Sequence, residues 1–290
     1  MSMPTDAFSE HQGYRLVSKL MIIGDDVMQS VANEMNLSET AFVEKVHADG
    51  EFHSGSKFVI RWFTPTHEVD LCGHATMSAA TVLFHVLGNP NPVIQFESRS
   101  GLLGVKRDGS KILMDFPQFC LEPVDMNSSP YKEMISTVCS DLPVQEVVRS
   151  PLSKKLLIIL TDNVSRKELE SFRPQFTHMK QLDPTANFIR GVIVSTRAVT
   201  DHNCGTDSHT AYDFVSRYFA PWVGINEDPV TGSSFCVLGP YWSSKLGKAE
   251  LFARQCSRRG GDVTVRILEC GRIEIGGESR IMLEGLINID

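Results

Sequence analysis

The chain has 290 residues, with 28 Lys and Arg against 35 Asp and Glu for a formal charge of -7, and it is 42% hydrophobic and 22% charged. That balance is ordinary for a globular protein with room for two domains, and it excludes disordered, fibrous and membrane-embedded classes. Net acidity, with Ser153-Lys154-Lys155 and Arg258-Arg259 as the longest basic clusters, excludes a nucleic-acid surface.

Seven cysteines without a C-x-x-C pair point to reduced thiols and a cytoplasmic setting. The apolar run Leu20-Met21-Ile22-Ile23 is too short to cross a bilayer, so neither membrane insertion nor secretion is expected.

Taken in chain order, the first predicted element is a helix capped by Asp25, with Val27, Met28, Val31, Ala32 and Met35 on one face, stopping at Asn36. A strand follows from Ala41, which leaves Glu39 at a helix-to-strand corner of the kind that presents a side chain into a cleft. Arg61-Trp62-Phe63-Thr64-Pro65 reads as an aromatic strand end closed by proline. From Gly73 a helix runs through Phe84 with apolar or small residues on every side, as in a helix enclosed by protein. Hairpins are expected around Asp108-Gly109 and Cys270-Gly271.

Much of this pattern recurs. Arg217-Tyr218-Phe219-Ala220-Pro221 echoes the first strand end, and Glu227, Gly232 and Ser257-Arg258-Arg259-Gly260 match Glu68, Gly73 and Ser98-Arg99-Ser100-Gly101 at one constant offset. A three-residue insertion between Pro221 and Glu227 reconciles the strand ends with that offset. A second apolar helix is expected over Phe235–Trp242, with Pro240 removing one backbone bond, followed by strands at Val263–Ile267 and Arg272–Ile275. The predicted architecture is α/β, two lobes each wrapping strands around a central helix, divided into residues 1–118 and 119–290, with the last strand able to return to the first lobe.

Two helix starts related by duplication, at Gly73-His74 and Gly232-Ser233, would direct unpaired N–H groups and positive dipole ends at a bound carboxylate or enolate. Taken singly, Thr231 and Ser233 read as ordinary caps, His74 as a hydrogen-bonded interface histidine, Asp228 as a turn aspartate and Glu39 as a surface carboxylate.

Asn36–Phe42, the pair Arg61–Pro65 and Glu68–Thr76, and Glu227–Ser233 resemble the three signature blocks of the phenazine-biosynthesis-like family, and the resemblance covers the chain from about residue 25 onward. Phe219–Gly224 and Gln255–Gly261 resemble especially its animal members. The resemblance implies the diaminopimelate-epimerase-like fold and a proton-moving isomerase acting without metal or organic cofactor. It implies that Glu39 takes and returns the proton, that His74, Asp228 and Ser233 position or protonate, and that Ser38, Gly73 and Gly232 contact a small, carboxylated substrate.

Burial of Glu39 between lobes is expected to raise its pKa. Glu39, His74, Asp228 and Ser233 are expected within about 10 Å of one another. A homodimer is the expected assembly.

Two further readings stand beside this one. Ser9–Tyr14 follows Asp6-Ala7-Phe8 where the family has a Gly-Asn-Pro-Ala-Ala-Val strand, which motivates a non-catalytic binding or scaffold protein, with a WD-repeat protein as the partner suggested by animal members. The third is an epimerase acting through Cys72, which lacks a second cysteine before Gly232.

Overall fold

The structure, a computed structural model, describes residues 16–17, 24–46, 50–198 and 211–287. Asp6–Tyr14, Leu20–Ile23 and Cys204 lie outside these residues. The chain divides into two compact units, the first running to Ile112 and resuming at Glu278, the second spanning Leu113–Gly277.

In the first unit the order is β1 (Leu16–Val17), α1 (Asp25–Met35), β2 (Thr40–Lys45), β3 (Lys57–Phe63), β4 (Glu68–Val69), α2 (Gly73–Thr81) with a π-helical turn over Val82–Val86, β5 (Val93–Ser98) and β6 (Gly101–Asp108); β7 (Lys111–Pro117) begins here and ends in the second unit. Strands β2 and β3 pair antiparallel, β3 and β5 parallel across α2, and β5 and β6 as a hairpin.

Met28 and Ala32 of α1 pack on Phe42 and Phe63, whose rings meet edge to face at 5.5 Å. Gly24 caps α1, and Asp25 is its first helical residue, with its carboxylate accepting from Arg61 at 2.7 Å; the cap expected at Asp25 is therefore displaced by one residue. Asn36 ends the helix at φ 48°, a left-handed conformation that asparagine tolerates, and turns the chain into β2.

The second unit continues with β8 (Glu122–Pro123), α3 (Tyr131–Cys139), β9 (Val144–Ser150), β10 (Lys155–Leu160), α4 (Arg166–Ser171), α5 (Phe176–Leu182), β11 (Gly191–Arg197), β12 (Phe214–Phe219), a 3-10 turn over Pro221–Val223, α6 (Gly232–Leu246), β13 (Glu250–Gln255), β14 (Gly261–Ile267) and β15 (Arg272–Gly277). Its strands run β8-β9-β10-β11-β12-β13-β14-β15, parallel at β10/β11 and β12/β13 and antiparallel elsewhere.

Every residue of β10 and β12 is buried, so both faces of this sheet are covered. Alternation along the strands assigns the faces. Leu156, Ile158, Leu160, Val215 and Phe219 pack with Met134, Val138, Leu169 and Met179 of α3 to α5. Lys155, Leu157 and Ile159 therefore face the other way, as does Phe214, whose ring meets Phe235 and Trp242 of α6.

Helix α6 lies close to its sheet because Gly239 has no side chain: a Cβ there would come within 2.4 Å of Ile273 and 2.9 Å of Val265. Pro240 stays inside the helix, and the carbonyl of Cys236, which its missing N–H cannot reach, accepts instead from the Phe119 backbone at 3.0 Å.

The two units repeat one order of elements: strand, turn, helix, parallel strand, antiparallel strand. In each, an arginine on the first strand grips a glutamate in the loop before the helix through two parallel bonds. Arg61 donates to Glu68 at 2.8 and 2.7 Å, and Arg217 to Glu227 at 2.7 and 2.8 Å. The 3-10 turn occupies the insertion expected between Pro221 and Glu227. Among the described residues no helix is long and apolar enough to cross a membrane.

The two forks differ in burial, and their stabilities should differ accordingly. The Arg217 side chain is 4% exposed and has no second carboxylate within ion-pair distance among the described residues, whereas Arg61 is 21% exposed and also meets Asp25. Glu227→Gln should cost roughly 3 kcal/mol, the low end for a half-broken buried pair because Glu227 keeps some solvent. Glu68 is only 10% exposed and also meets Arg99, but Glu68→Gln should cost less, about 2 kcal/mol, because Arg61 keeps Asp25 and Arg99 keeps solvent. Urea unfolding of the two variants checks the ranking, and equal losses would refute it.

Candidate functional site

Within the first unit, the corner after Asn36 and the start of α2 bring together residues about 35 positions apart. His74 Nε2 lies 2.9 Å from Glu39 Oε2, and both side chains are only 11% exposed. At that distance the two side chains are in close charge contact. Ser38 Oγ is 3.4 Å from the same nitrogen, and Cys72 Sγ is 3.7 Å from either ring nitrogen. Cys72 occupies the cap position of α2, and its carbonyl takes both the N–H and the hydroxyl of Thr76, which starts the helix at Gly73.

Burial is the largest influence on all three titrating groups, and it acts against charge in each. For Glu39 it is outweighed by His74, Ser38 and Cys72, which together hold the carboxyl below its ordinary range. For His74 burial is outweighed by the neighbouring Cys72 and Glu39, and the imidazole is held well above its usual value. Burial raises the Cys72 thiol, and Glu39 adds to that rise. The state these directions support is a Glu39 carboxylate beside a His74 imidazolium; Cys72 attracts the imidazolium by charge only as a thiolate, so while the thiol is protonated the imidazolium depends on Glu39. The expected upward shift of Glu39 is thus corrected, because the contacts with His74, Ser38 and Cys72 together outweigh desolvation.

The ligand atoms of Glu39, Cys72 and His74 lie within 4.8 Å of one another, so these oxygen, sulfur and nitrogen donors could also take a divalent ion such as zinc.

In the second unit, Asp228 is buried and its Oδ2 accepts from Thr231 Oγ1 at 2.5 Å. Gln255 clamps the same turn: its Oε1 accepts from the Thr231 N–H at 2.8 Å, and its Nε2 donates to the Asp228 carbonyl at 2.7 Å. Thr231 is the cap residue of α6 by position, but its hydroxyl serves Asp228 and makes no cap bond. Gly232 and Ser233 are the first two residues of the helix. Glu39, Ser38, Gly73 and His74 therefore form one cluster in the first unit, and Asp228, Gly232 and Ser233 another in the second.

Three residues of consequence carried no functional reading in the sequence. Thr231 reads in the sequence only as a cap, and Gln255 only as part of a family-like run. Lys155, read within a short basic cluster, is the first residue of an otherwise apolar buried strand. A lone cation heading Leu-Leu-Ile-Ile-Leu is the signal that could have marked it.

Residues 20–285 match the family model described as phenazine biosynthesis-like protein, PhzC-PhzF. A phenazine biosynthesis-like domain-containing protein of Rattus norvegicus is 41% identical over 92% of this chain and 90% of its own. A Pseudomonas aeruginosa protein named an uncharacterized isomerase is 40% identical over 92% and 88%. The crystal structure of a PhzF-family phenazine biosynthesis protein from Enterococcus faecalis superposes with a TM-score of 0.76 at 34% identity, covering 94% of this chain and 91% of that one. A family match over most of the length, joined to a shared fold and to relatives this similar, means that the chain belongs to the phenazine biosynthesis-like family.

Proposed function

We propose that this protein is a cofactor-independent isomerase that moves a proton on a small carboxylated metabolite, with Glu39 as the base that removes the proton and the acid that returns it. The observation that carries this reading is the buried Glu39–His74 pair, 2.9 Å apart at the start of a helix. The relatives named as isomerases support the reaction class. Glu39 is ionised at neutral pH and can accept a proton from carbon. The charge that develops on the substrate is met by the His74 imidazolium and the positive end of α2. The proton on Glu39 then returns to a second carbon, and charge balances without an oxidant or a second substrate.

Asp228 and Ser233 act on the same molecule in this reading, with Ser38, Gly73 and Gly232 contributing contacts. The six free cysteines among the described residues accord with a reducing, cytoplasmic setting. A homodimer is part of the proposal.

A buried, protonated Cys72 with Thr231 in the corresponding place before Gly232 argues against a two-thiol mechanism. A scaffold that retained the fold would show no proton exchange, and deuterium uptake from solvent into a panel of carbon acids separates it from an enzyme.

Glu39→Gln should abolish deuterium uptake and leave the melting temperature nearly unchanged, because His74 can revert to its neutral form. Uptake at the parent rate in this variant would sink the mechanism. Cys72→Ala should keep most of the rate, and a loss of several orders of magnitude would restore the thiol reading.

The rate should be bell-shaped in pH. Its acid flank falls below the usual carboxylate range, since Glu39 stays ionised until pH drops through its lowered pKa. Its basic flank lies above the usual imidazole value, since His74 stays charged until pH rises through its raised pKa. In His74→Asn the burial of Glu39 goes unopposed by an imidazolium, so the acid flank should move up by about one pH unit or more. A flank that stays in place would show that His74 does not set the ionisation of Glu39.

A further inference from the structure

Lys155 is 8% exposed, heads β10 on the face toward α6, and no carboxylate lies within ion-pair distance of it among the described residues. Its Nζ sits 5.8 Å from the centre of the Phe119 ring and 6.0 Å from that of Tyr218. Two aromatic faces attract an ammonium, but they do not replace its water or neutralise its charge. A second cation, Arg190, depresses it further, and Cys236 on α6 would oppose that only as a thiolate, a form that burial withholds by pushing the thiol up to about 12.

The backbone makes room for this arrangement. Gly191 pairs with Lys155 across β10 and β11, and a Cβ on Gly191 would come within 2.6 Å of the Tyr218 ring, so glycine lets the phenol lie over that position. Tyr218 is itself electrostatically coupled to Asp228 and to Arg190. Lys155 and Tyr218 are thus neighbours, the exposed Arg190 acts on both, and Asp228 acts on the phenol while no carboxylate is among the groups that act most on the amine. Burial and Arg190 together bring the Lys155 amine down to about 8. A buried cation in such surroundings costs stability unless something negative meets it.

We propose that Lys155, Arg190 and Tyr218 form an anion subsite that binds the carboxylate group of a small organic acid, with Lys155 as the charge that fixes it. This goes beyond the isomerase reading and concerns the second unit by itself. A carboxylate accepts from Lys155 Nζ, from the Arg190 guanidinium and from the Tyr218 hydroxyl, while the aromatic rings cover an apolar body. The apolar walls of Phe119 and Tyr218 favour an aromatic or cyclic acid over inorganic phosphate.

The test uses the whole protein with benzoate and inorganic phosphate as probes, read by calorimetric titration and melting temperature. Benzoate should bind the parent and raise its melting temperature. Lys155→Met should weaken benzoate binding at least tenfold, and the ligand-free variant should melt no lower than the parent, because the substitution removes an uncompensated buried charge of similar volume. Arg190→Ala should weaken benzoate binding without unfolding the protein.

Phosphate binding in preference to benzoate, undiminished benzoate binding in Lys155→Met, or a marked fall in the melting temperature of that variant would each overturn the proposal. Since binding is measured without turnover, a missing proton exchange counts against the isomerase alone, and a missing carboxylate site against this subsite alone.

Discussion

The paired arginine–glutamate fork is the contact on which each unit's arrangement depends. It fixes the loop between the first strand and the central helix at both ends, and so decides where the helix starts and which way its first N–H groups point. In the first unit that start carries Cys72, Gly73 and His74, in the second Thr231, Gly232 and Ser233. A bidentate, planar contact suits this task better than a lysine would, since it fixes direction as well as distance. In the second unit the arginine also donates to the carbonyls of Leu169 and Phe172, so the fork ties α4 to the sheet.

At the candidate site, burial is the largest single influence on Glu39, and the contacts around the carboxyl together outweigh it. A carboxyl enclosed in protein is usually expected to drift toward neutrality. Glu39 departs from that pattern because an imidazole also denied water stands against it, and two mutually stabilising charges hold each other ionised. An ionised base and a charged acid are then available together near neutral pH, which suits a reaction that must both take and give a proton. Cys72, adjacent and neutral, contributes a contact to this pair.

How much of this was legible in the sequence follows from where information is local. The central helices were readable because runs such as Ala75–Phe84 and Phe235–Trp242 leave no polar face, and the repeat at constant offset placed them in equivalent surroundings. Val263–Ile267 and Arg272–Ile275 alternate cleanly and emerged as β14 and β15. β10 and β11 repeat the pairing of β1 and β2 without any sequence echo, β8, β9 and α3 lie outside that repeat, and the apolar run of β10 after Lys155 fits a buried strand or a buried helix equally well. The Glu39–His74 contact joins a corner to a helix start along a path that only the pairing of β2 with β3 closes. Even the family resemblance, which named both residues, did not disclose which charge state they share.

Pro240 has one further effect. A proline inside a buried helix is usually a defect, because it frees a carbonyl that cannot find water. Here the freed carbonyl of Cys236 accepts the Phe119 N–H, so the irregularity acts as a docking point for the segment leaving β7. Phe119 is the same residue whose ring stands over Lys155. The break in the α6 hydrogen-bond ladder therefore helps set one wall around a buried cation, and a residue that never approaches a ligand can govern the shape a ligand meets.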